Sequence, residues 1–361
     1  MKRRNFIKNT ALVSSTALVM PAGFPNILIP KAKDKLGVAL VGLGYYSTDI
    51  LSKSLQLTQK CSLAGIVTGS PDKAAQWQSK YNLHDRNIYN YSSFDQVANN
   101  PDIDVIYIVL PPSMHEEYVV RAAKAGKQVW CEKPMAPSTA ACQAMIDACI
   151  KNKVSLSIGY RMHHEPNTQD IMEWAKSKPY GKIKSLKAAA GYRENRTDHW
   201  KQKKAMGGGV MGDMGVYPLN AVRYASGMEP IAVTAKASTT RPEIYHEVEE
   251  TMEFELEFPG GLMANCEASF GKSMGTLQVD CAKGWYKLEP FQAYSGARGT
   301  TSDGKTLNKT LPNQQAKQMD DDVHAILMKK TSLAPGEEGL KDITVVEAIY
   351  KSAASGKRVK I

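Results

Sequence analysis

Three groups of side chains in this sequence are of types that handle the proton of a hydroxyl. Lys133 stands between Glu132 and Pro134. A lysine partly desolvated at a strand end orients a hydroxyl or shifts a neighbour's pKa, whereas a surface lysine in a turn does neither. The second group lies in Gly207-Gly208-Gly209-Val210-Met211-Gly212-Asp213-Met214-Gly215-Val216-Tyr217-Pro218. Asp213 and Tyr217 are four apart and share a face of any helix that spans both. Proline is accepted only in a first turn, so Pro218 sets the helix start near Val216 or Tyr217 and leaves Asp213 in the turn before it. A phenol held near a lysine can give or take a proton. The plainer alternative is a capping aspartate and a packed tyrosine. The third group is Tyr160-Arg161-Met162-His163-His164 with Arg193 to His199. Arg161, His164, Arg196 and His199 suit hydroxyl groups or a carboxylate, though each is also a common structural residue. His163 and His164 are adjacent and lack the spacing of a helical metal pair, so no residue is assigned to a metal.

The elements that must position these groups start at Lys35. A short apolar run, Leu36 to Val41, leads into Gly42-Leu43-Gly44, then Tyr45-Tyr46-Ser47, then apolar residues at helical spacing, Ile50, Leu51, Leu55 and Leu57. That is strand, glycine-rich turn and helix. The glycines let the backbone turn and approach a pyrophosphate, and the helix start offers N–H groups and its dipole. Ser47 replaces the third glycine of the usual fingerprint. An ordinary strand-to-helix turn has the same look, so the context decides.

That context is a run of alternating strands and helices. Ser62 to Val67 reads as a strand ending in Thr68-Gly69-Ser70, with a helix over Asp72 to Tyr81. Asp104 to Leu110 is almost continuously apolar, the mark of a strand buried on both faces. It stops at Pro111, and a helix follows from about His115 to Ala125. Gln128 to Cys131 is a strand that stops at Glu132-Lys133-Pro134. A helix over Ser138 to Ile150 and a strand over Val154 to Ile158 complete the series. Such alternation predicts a doubly wound α/β domain with a ligand crevice beyond the carboxyl ends of its strands. Gly42, Leu43, Gly44, Tyr45, Tyr46, Thr68, Gly69, Ser70, Lys73, Leu110, Pro111, His115, Glu132 and Lys133 all follow strand ends and are expected to line that crevice for a dinucleotide. Thr68-Gly69-Ser70 with Lys73 suits a ribose 2′-phosphate, hence NADP; Asp72, turned inward, would suit NAD.

Beyond Gly159 the pattern changes. A helix near Pro166 to Lys176 and a strand over Ile183 to Tyr192 precede the glycine-rich patch. Strands then dominate. In Glu249 to Phe258, Met252, Phe254, Leu256 and Phe258 alternate with Glu253, Glu255 and Glu257, so one face is apolar and the other charged. Leu262 to Phe270, Thr276 to Ala282 and Tyr286 to Glu289 continue a largely antiparallel sheet. Tyr294 to Pro312 reads as a long loop. Helices over Gln314 to Lys329 and Glu338 to Ser355 close the chain. The expected organisation is a leader and extended arm over residues 1–30, a dinucleotide-binding domain over 31–158, and a substrate and oligomerisation domain over 159–361, with the last helix packing back on the first domain.

The 361 residues suffice for two cores, and the formal charge of +10 suits a phosphate-bearing partner without any Lys/Arg run dense enough for nucleic acid. The six cysteines form no C-x-x-C pair and read as small buried hydrophobes. Lys2, Arg3 and Arg4, then Asn5-Phe6-Ile7-Lys8 and the apolar stretch Ala11 to Met20, resemble a twin-arginine export signal. This predicts a periplasmic protein, or an anchored one if the leader is not removed.

Gly42-Leu43-Gly44, Glu132-Lys133-Pro134 and Gly207 to Tyr217 occur in the order seen in the oxidoreductase family of glucose-fructose oxidoreductase, inositol dehydrogenase and their relatives. Pro335-Gly336-Glu337-Glu338-Gly339, Asp342 and Glu347 to Tyr350 resemble that family's last helix. Tyr217, where inositol dehydrogenases usually carry histidine, Asn195 to Asp198, the Thr68-Gly69-Ser70 strand end and the leader are similar to the glucose-fructose branch. The resemblance implies a Rossmann NAD(P)-binding domain plus a C-terminal α+β domain with an open-faced, mostly antiparallel sheet. It implies a nicotinamide cofactor, NADP or alternatively NAD, and a sugar or polyol substrate. It also implies a homodimer or homotetramer formed through the open sheet face. Carried over, Lys133 and Tyr217 are the catalytic pair with Asp213 in support, and Lys133, Arg161, His164, Arg196, Asp213 and Tyr217 meet the substrate. A second reading, also drawn from relatives of this fold, is a glycoside-cleaving enzyme that oxidises its substrate transiently with NAD and then eliminates.

Overall fold

The structure, a computed structural model, describes residue 33 and residues 35–361; the leader and arm lie outside these residues. The first apolar run forms β1 (Leu36–Val41), with Val38 to Val41 fully buried. It sits at the centre of a six-stranded parallel sheet with β2 (Cys61–Val67), β3 (Ile88–Tyr89), β4 (Val105–Ile108), β5 (Gln128–Cys131) and β6 (Leu156–Ile158), in the order β3-β2-β1-β4-β5-β6. All four residues of β4 are buried because helices cover both faces of the sheet. Those helices are α1 (Ser52–Leu55), α2 (Pro71–Tyr81), α3 (His115–Lys124) and α4 (Thr139–Lys151). Ser70 and Ser138 cap α2 and α4 by accepting from the N–H groups of Lys73 and Ala141. The strand order reverses between β1 and β4, which opens a crevice at their carboxyl ends.

After α5 (Pro166–Ser177) comes a nine-stranded sheet. Its members are β7 (Ile183–Gly191), β8 (Ala232–Ser238), β9 (Thr251–Phe258), β10 (Leu262–Ser269), β11 (Met274–Cys281), β12 (Gly284–Leu288), β13 (Gly299–Thr301), β14 (Thr306–Leu307) and β15 (Val359–Lys360). Met252, Phe254, Leu256 and Phe258 face the core and α6 (Val216–Ser226) lies across that face. The opposite face carries Lys187, Thr234, Lys236, Glu253, Glu255 and Asn265, all exposed. Two details differ from the sequence reading. The stretch Tyr294 to Pro312 contains β13 and β14, which at three and two residues are too short to show a period of two. And β10 pairs with β7 in parallel, because α6, β8 and β9 intervene and give the chain length to cross over.

The last two helices tie the sheets together. On α7 (Gln314–Leu327), Met319 and Val323 join the core formed by Val38, Leu40 and Trp130. The Asp320 carboxylate accepts from the N–H groups of Gln59 and Lys60, at 3.0 and 2.8 Å. On α8 (Gly336–Ser355), Gly336 and Gly339 lie against Leu156 and Met135, where a Cβ would be within 2.9 Å and 2.8 Å of those side chains. Farther along, Ser352 accepts from the Ala235 N–H at 2.9 Å, so one helix touches both sheets. All six cysteines are free and buried. Among the described residues, no helix is long and apolar enough to cross a membrane, and no group of three His, Cys, Asp or Glu could hold a metal ion.

Candidate active site

At the crevice the main chain does what a dinucleotide needs. Gly42 has φ +90°, and a Cβ there would lie 2.5 Å from the Val109 carbonyl. Only glycine permits that turn and that approach together. Gly44 faces open space, with nothing within 4 Å of a would-be Cβ, so a ligand can reach the backbone there. Ser47 is buried and its hydroxyl donates to the Gly42 carbonyl at 2.6 Å, locking the turn onto the following helix. Lys73 Nζ donates to the Leu43 carbonyl at 3.0 Å, and Thr68 Oγ1 accepts from the Ser70 N–H at 3.2 Å. Gly69 leaves room for the Tyr91 ring. Tyr45 stands exposed at the rim, with Leu110 and Pro111 half-buried opposite. The residues present fit a pyrophosphate against Gly42 to Tyr46 and a ribose near Thr68 to Lys73.

The chemical groups converge at the end of β5. Lys133 follows that strand, joined to Pro134 by a cis peptide, with only 11% of its side chain exposed. Its Nζ donates to the Asp213 carbonyl at 2.7 Å and to Asp213 Oδ1 at 3.2 Å. Asp213 sits in a wide helical turn, Met211–Gly215, that runs into α6. Tyr217, one residue into α6, lays its ring 4.6 Å from Lys133 Nζ and 5.5 Å from the Arg161 guanidinium. Burial opposes the charge on Asp213, but Lys201 and Lys133 hold its carboxyl well below the usual carboxylate range. Burial likewise opposes the Lys133 charge, and Tyr217, Asp213 and Glu132 together raise its pKa. A phenol between two cations is placed to pass a proton, since both cations stabilise negative charge as it develops on the oxygen.

Other residues expected at the crevice lie behind it. His115 is 1% exposed, and its ring nitrogens lie 2.8 Å from the Leu110 carbonyl and 3.1 Å from the Pro134 carbonyl. It braces the two loops. Glu132 is buried, accepts from Tyr107 Oη at 2.6 Å, and has its carboxyl pushed up by burial. It too is a brace. His164 is 1% exposed and pairs with Asp321 Oδ2 on α7 at 2.8 Å, a bracing contact. Arg161 is 2% exposed; it donates to the Ala293 carbonyl at 3.0 Å and also holds Gln314 and the Gln292 carbonyl. Its contact with the site is through the faces of Tyr217 and Tyr294, the latter at 4.6 Å. Arg196 is half-exposed and pairs with Glu194 at the rim.

Two residues at the centre escaped the sequence reading. Lys201 Nζ lies 2.5 Å from Asp213 Oδ2 and 2.6 Å from Tyr192 Oη. Tyr294, from the loop before β13, stands 6.0 Å from the Tyr46 ring and is 42% exposed. The only sequence signal for Lys201 was a lysine shortly before the triple glycine, and for Tyr294 an aromatic residue in a long loop.

Comparison with known proteins gives the family. Residues 36–160 match the model of the oxidoreductase family with an NAD-binding Rossmann fold, and residues 168–287 match that of the GFO/IDH/MocA C-terminal domain. D-xylose 1-dehydrogenase [NADP(+)] of Haloarcula marismortui is 27% identical over 335 residues, covering 90% of this chain and 92% of that protein. The crystal structure of aldose-aldose oxidoreductase from Caulobacter crescentus, complexed with glycerol, superposes with a TM-score of 0.87 at 35% identity over 91% of this chain and 100% of the other. Levoglucosan dehydrogenase in complex with NADH and levoglucosan shares the fold, with a TM-score of 0.78 at 20% identity over 91% of this chain and 99% of that one. With a glycine-turn cradle on one sheet and Lys133, Asp213 and Tyr217 gathered beside it, the chain belongs to the GFO/IDH/MocA family of NAD(P)-binding oxidoreductases.

Proposed function

We propose that this protein is an NADP-dependent oxidoreductase of sugars or polyols, similar to glucose-fructose oxidoreductase, with Lys133 and Tyr217 as its catalytic pair. The observation that carries the reading is the meeting of Lys133, Asp213 and Tyr217 at the carboxyl end of β5, beside the glycine turn. The similarity to a xylose dehydrogenase and an aldose-aldose oxidoreductase supports the substrate class. When bound, the nicotinamide supplies the acceptor or donor of a hydride at the sugar carbon. Tyr217 takes the hydroxyl proton as that carbon is oxidised, or returns it on reduction. Lys133 orients the same hydroxyl and stabilises its developing charge, and Asp213 fixes the ammonium. Holding these groups at one carbon is most of what such a site must supply.

The NADP preference rests on Lys73, Ser70 and Thr68 at the end of β2, with NADP(+)-named relatives in support. We also propose export by the twin-arginine route, from Arg3, Arg4 and the apolar stretch behind them, and pairing of copies through the polar face bearing Lys187, Glu253 and Asn265. Export is checked by cell fractionation of the wild type and of an Arg3→Lys/Arg4→Lys variant, the latter being expected to stay inside. Sedimentation checks the assembly.

The deciding experiment follows reduced-nicotinamide absorbance in protein saturated with NADP, and separately with NAD, across aldoses, ketoses and polyols. A redox change with one sugar class, larger for NADP, is the expected result. Silence across the panel with cofactor bound, together with release of free sugar from glycosides and no net redox change, would establish the glycoside-cleaving reading instead.

A further inference from the structure

We propose that Lys201 is a positioning residue of the proton-transfer site: it clamps Asp213 from the side opposite Lys133 and places a second positive charge behind the catalytic pair. This rests on the sugar-oxidoreductase reading above. Lys201 has 14% of its side chain exposed. One oxygen of Asp213 faces Lys133 Nζ at 3.2 Å and the other faces Lys201 Nζ at 2.5 Å. One carboxylate therefore stands between two ammonium groups, and the three together carry one surplus positive charge. Around Lys201 lie Tyr192 Oη at 2.6 Å and, through that oxygen, Glu194 at 3.1 Å, itself paired with Arg196. The Trp200 and Phe270 rings lie 5.7 and 5.9 Å from Nζ, and the His199 ring accepts from the Lys201 N–H.

The glycine patch explains how Lys201 reaches this place. A Cβ on Gly208 would lie 2.6 Å from the Lys201 carbonyl and 2.7 Å from the Trp200 carbonyl. Gly209 donates its N–H to the Lys201 carbonyl at 2.8 Å with φ +98°. The residues that let the chain turn into Asp213 thus also bed the backbone that carries Lys201. Negative charge develops on the substrate oxygen as its proton moves, and a preorganised positive charge in a buried site stabilises it. Without Lys201, Lys133 and Asp213 are a neutral pair, and the carboxylate keeps only Lys133 and the Tyr192 hydroxyl, which donates to Oδ2 at 3.3 Å.

The test compares full-length Lys201→Met, Lys201→Arg and Tyr192→Phe with the wild type, each loaded with NADP. In K201M, kcat is expected to fall roughly 10- to 100-fold with KM within about threefold, and the acid-side limb of the kcat profile to move up by about one pH unit, because a positive charge near the proton acceptor is gone. K201R should keep both near wild type, and Y192F should move the limb the same way by less. A readout independent of turnover is the titration of the Asp213 carboxyl by carbon NMR, assigned through Asp213→Asn. Its midpoint should rise in K201M and stay low in K201R. If no sugar is turned over by the wild type, the oxidoreductase reading fails while this titration still decides Lys201. An unmoved titration in K201M, or equal kcat losses in K201M and K201R with the limb fixed, would overturn the proposal.

Discussion

On the parallel-sheet side of the crevice the binding surface is main chain, from Gly42 to Tyr46 and at the ends of β2 and β4, all within some eighty residues of sequence. On the other side it is side chains drawn from far apart. Lys133 meets Asp213 across 80 positions, and Arg161 meets Gln314 across 153. The first side works because certain positions lack a side chain, and the second because certain side chains are present and held. The two sides should therefore fail differently under substitution, one losing the cofactor and the other losing the rate.

The largest expected effect is on the second side. Lys133→Ala removes the ammonium beside Tyr217 and should lower kcat by about 10³-fold, while NADP affinity, measured by fluorescence titration, stays within about threefold. Retained turnover would break the contrast. Next is the reverse pattern. Gly42→Val places a branched side chain at φ +90° and 2.5 Å from the Val109 carbonyl. It should weaken NADP binding more than tenfold and cost about 2–4 kcal/mol in denaturant unfolding. Smaller again, Lys73→Ala removes the amine that sits on the Leu43 carbonyl, and should lower the affinity for NADP relative to that for NAD about tenfold, or 1.4 kcal/mol, in competition binding.

The smallest effect concerns a residue of neither side. Asp322 is buried near Ser157 and His164, and its Oδ2 has no partner among the described residues. Burial pushes its carboxyl up to about 7, against the opposing pull of His164 and Ser157. The folded chain thus keeps a proton that the unfolded chain has lost between about pH 4 and 7, and stability declines as pH rises through that window. Asp322→Asn cannot titrate. It should flatten that decline and stabilise the fold at pH 8 by about 1–2 kcal/mol, with kcat unchanged.

What the sequence revealed follows the same division. β1 with its glycine turn, the buried run of β4 and the alternation in β9 are local patterns, and each is legible without knowing its neighbours. Lys133, Asp213 and Tyr217 were legible because two compact motifs carry them. Lys201 and Tyr294 were not, since nothing local marks a lysine after a tryptophan or a tyrosine in a loop. His115 and His164 were not legible in their roles for a physical reason. Histidine suits a ligand and a buried brace equally, and only their carbonyl and Asp321 partners, distant in sequence, decide between the two.

The placement of α7 has a consequence for the order in which the chain matures. Its residues complete the core beneath β1 and β4, pin Arg161 through Gln314, approach Tyr46 through Gln315, and seat His164 through Asp321. A ribosome that has emitted only the first sheet has therefore emitted an unfinished one, with the footprints of Met319 and Val323 still wet. On these contacts cofactor capture is expected to be a late event in the life of the nascent chain, and a product truncated before α7 is expected to emerge without a finished cradle.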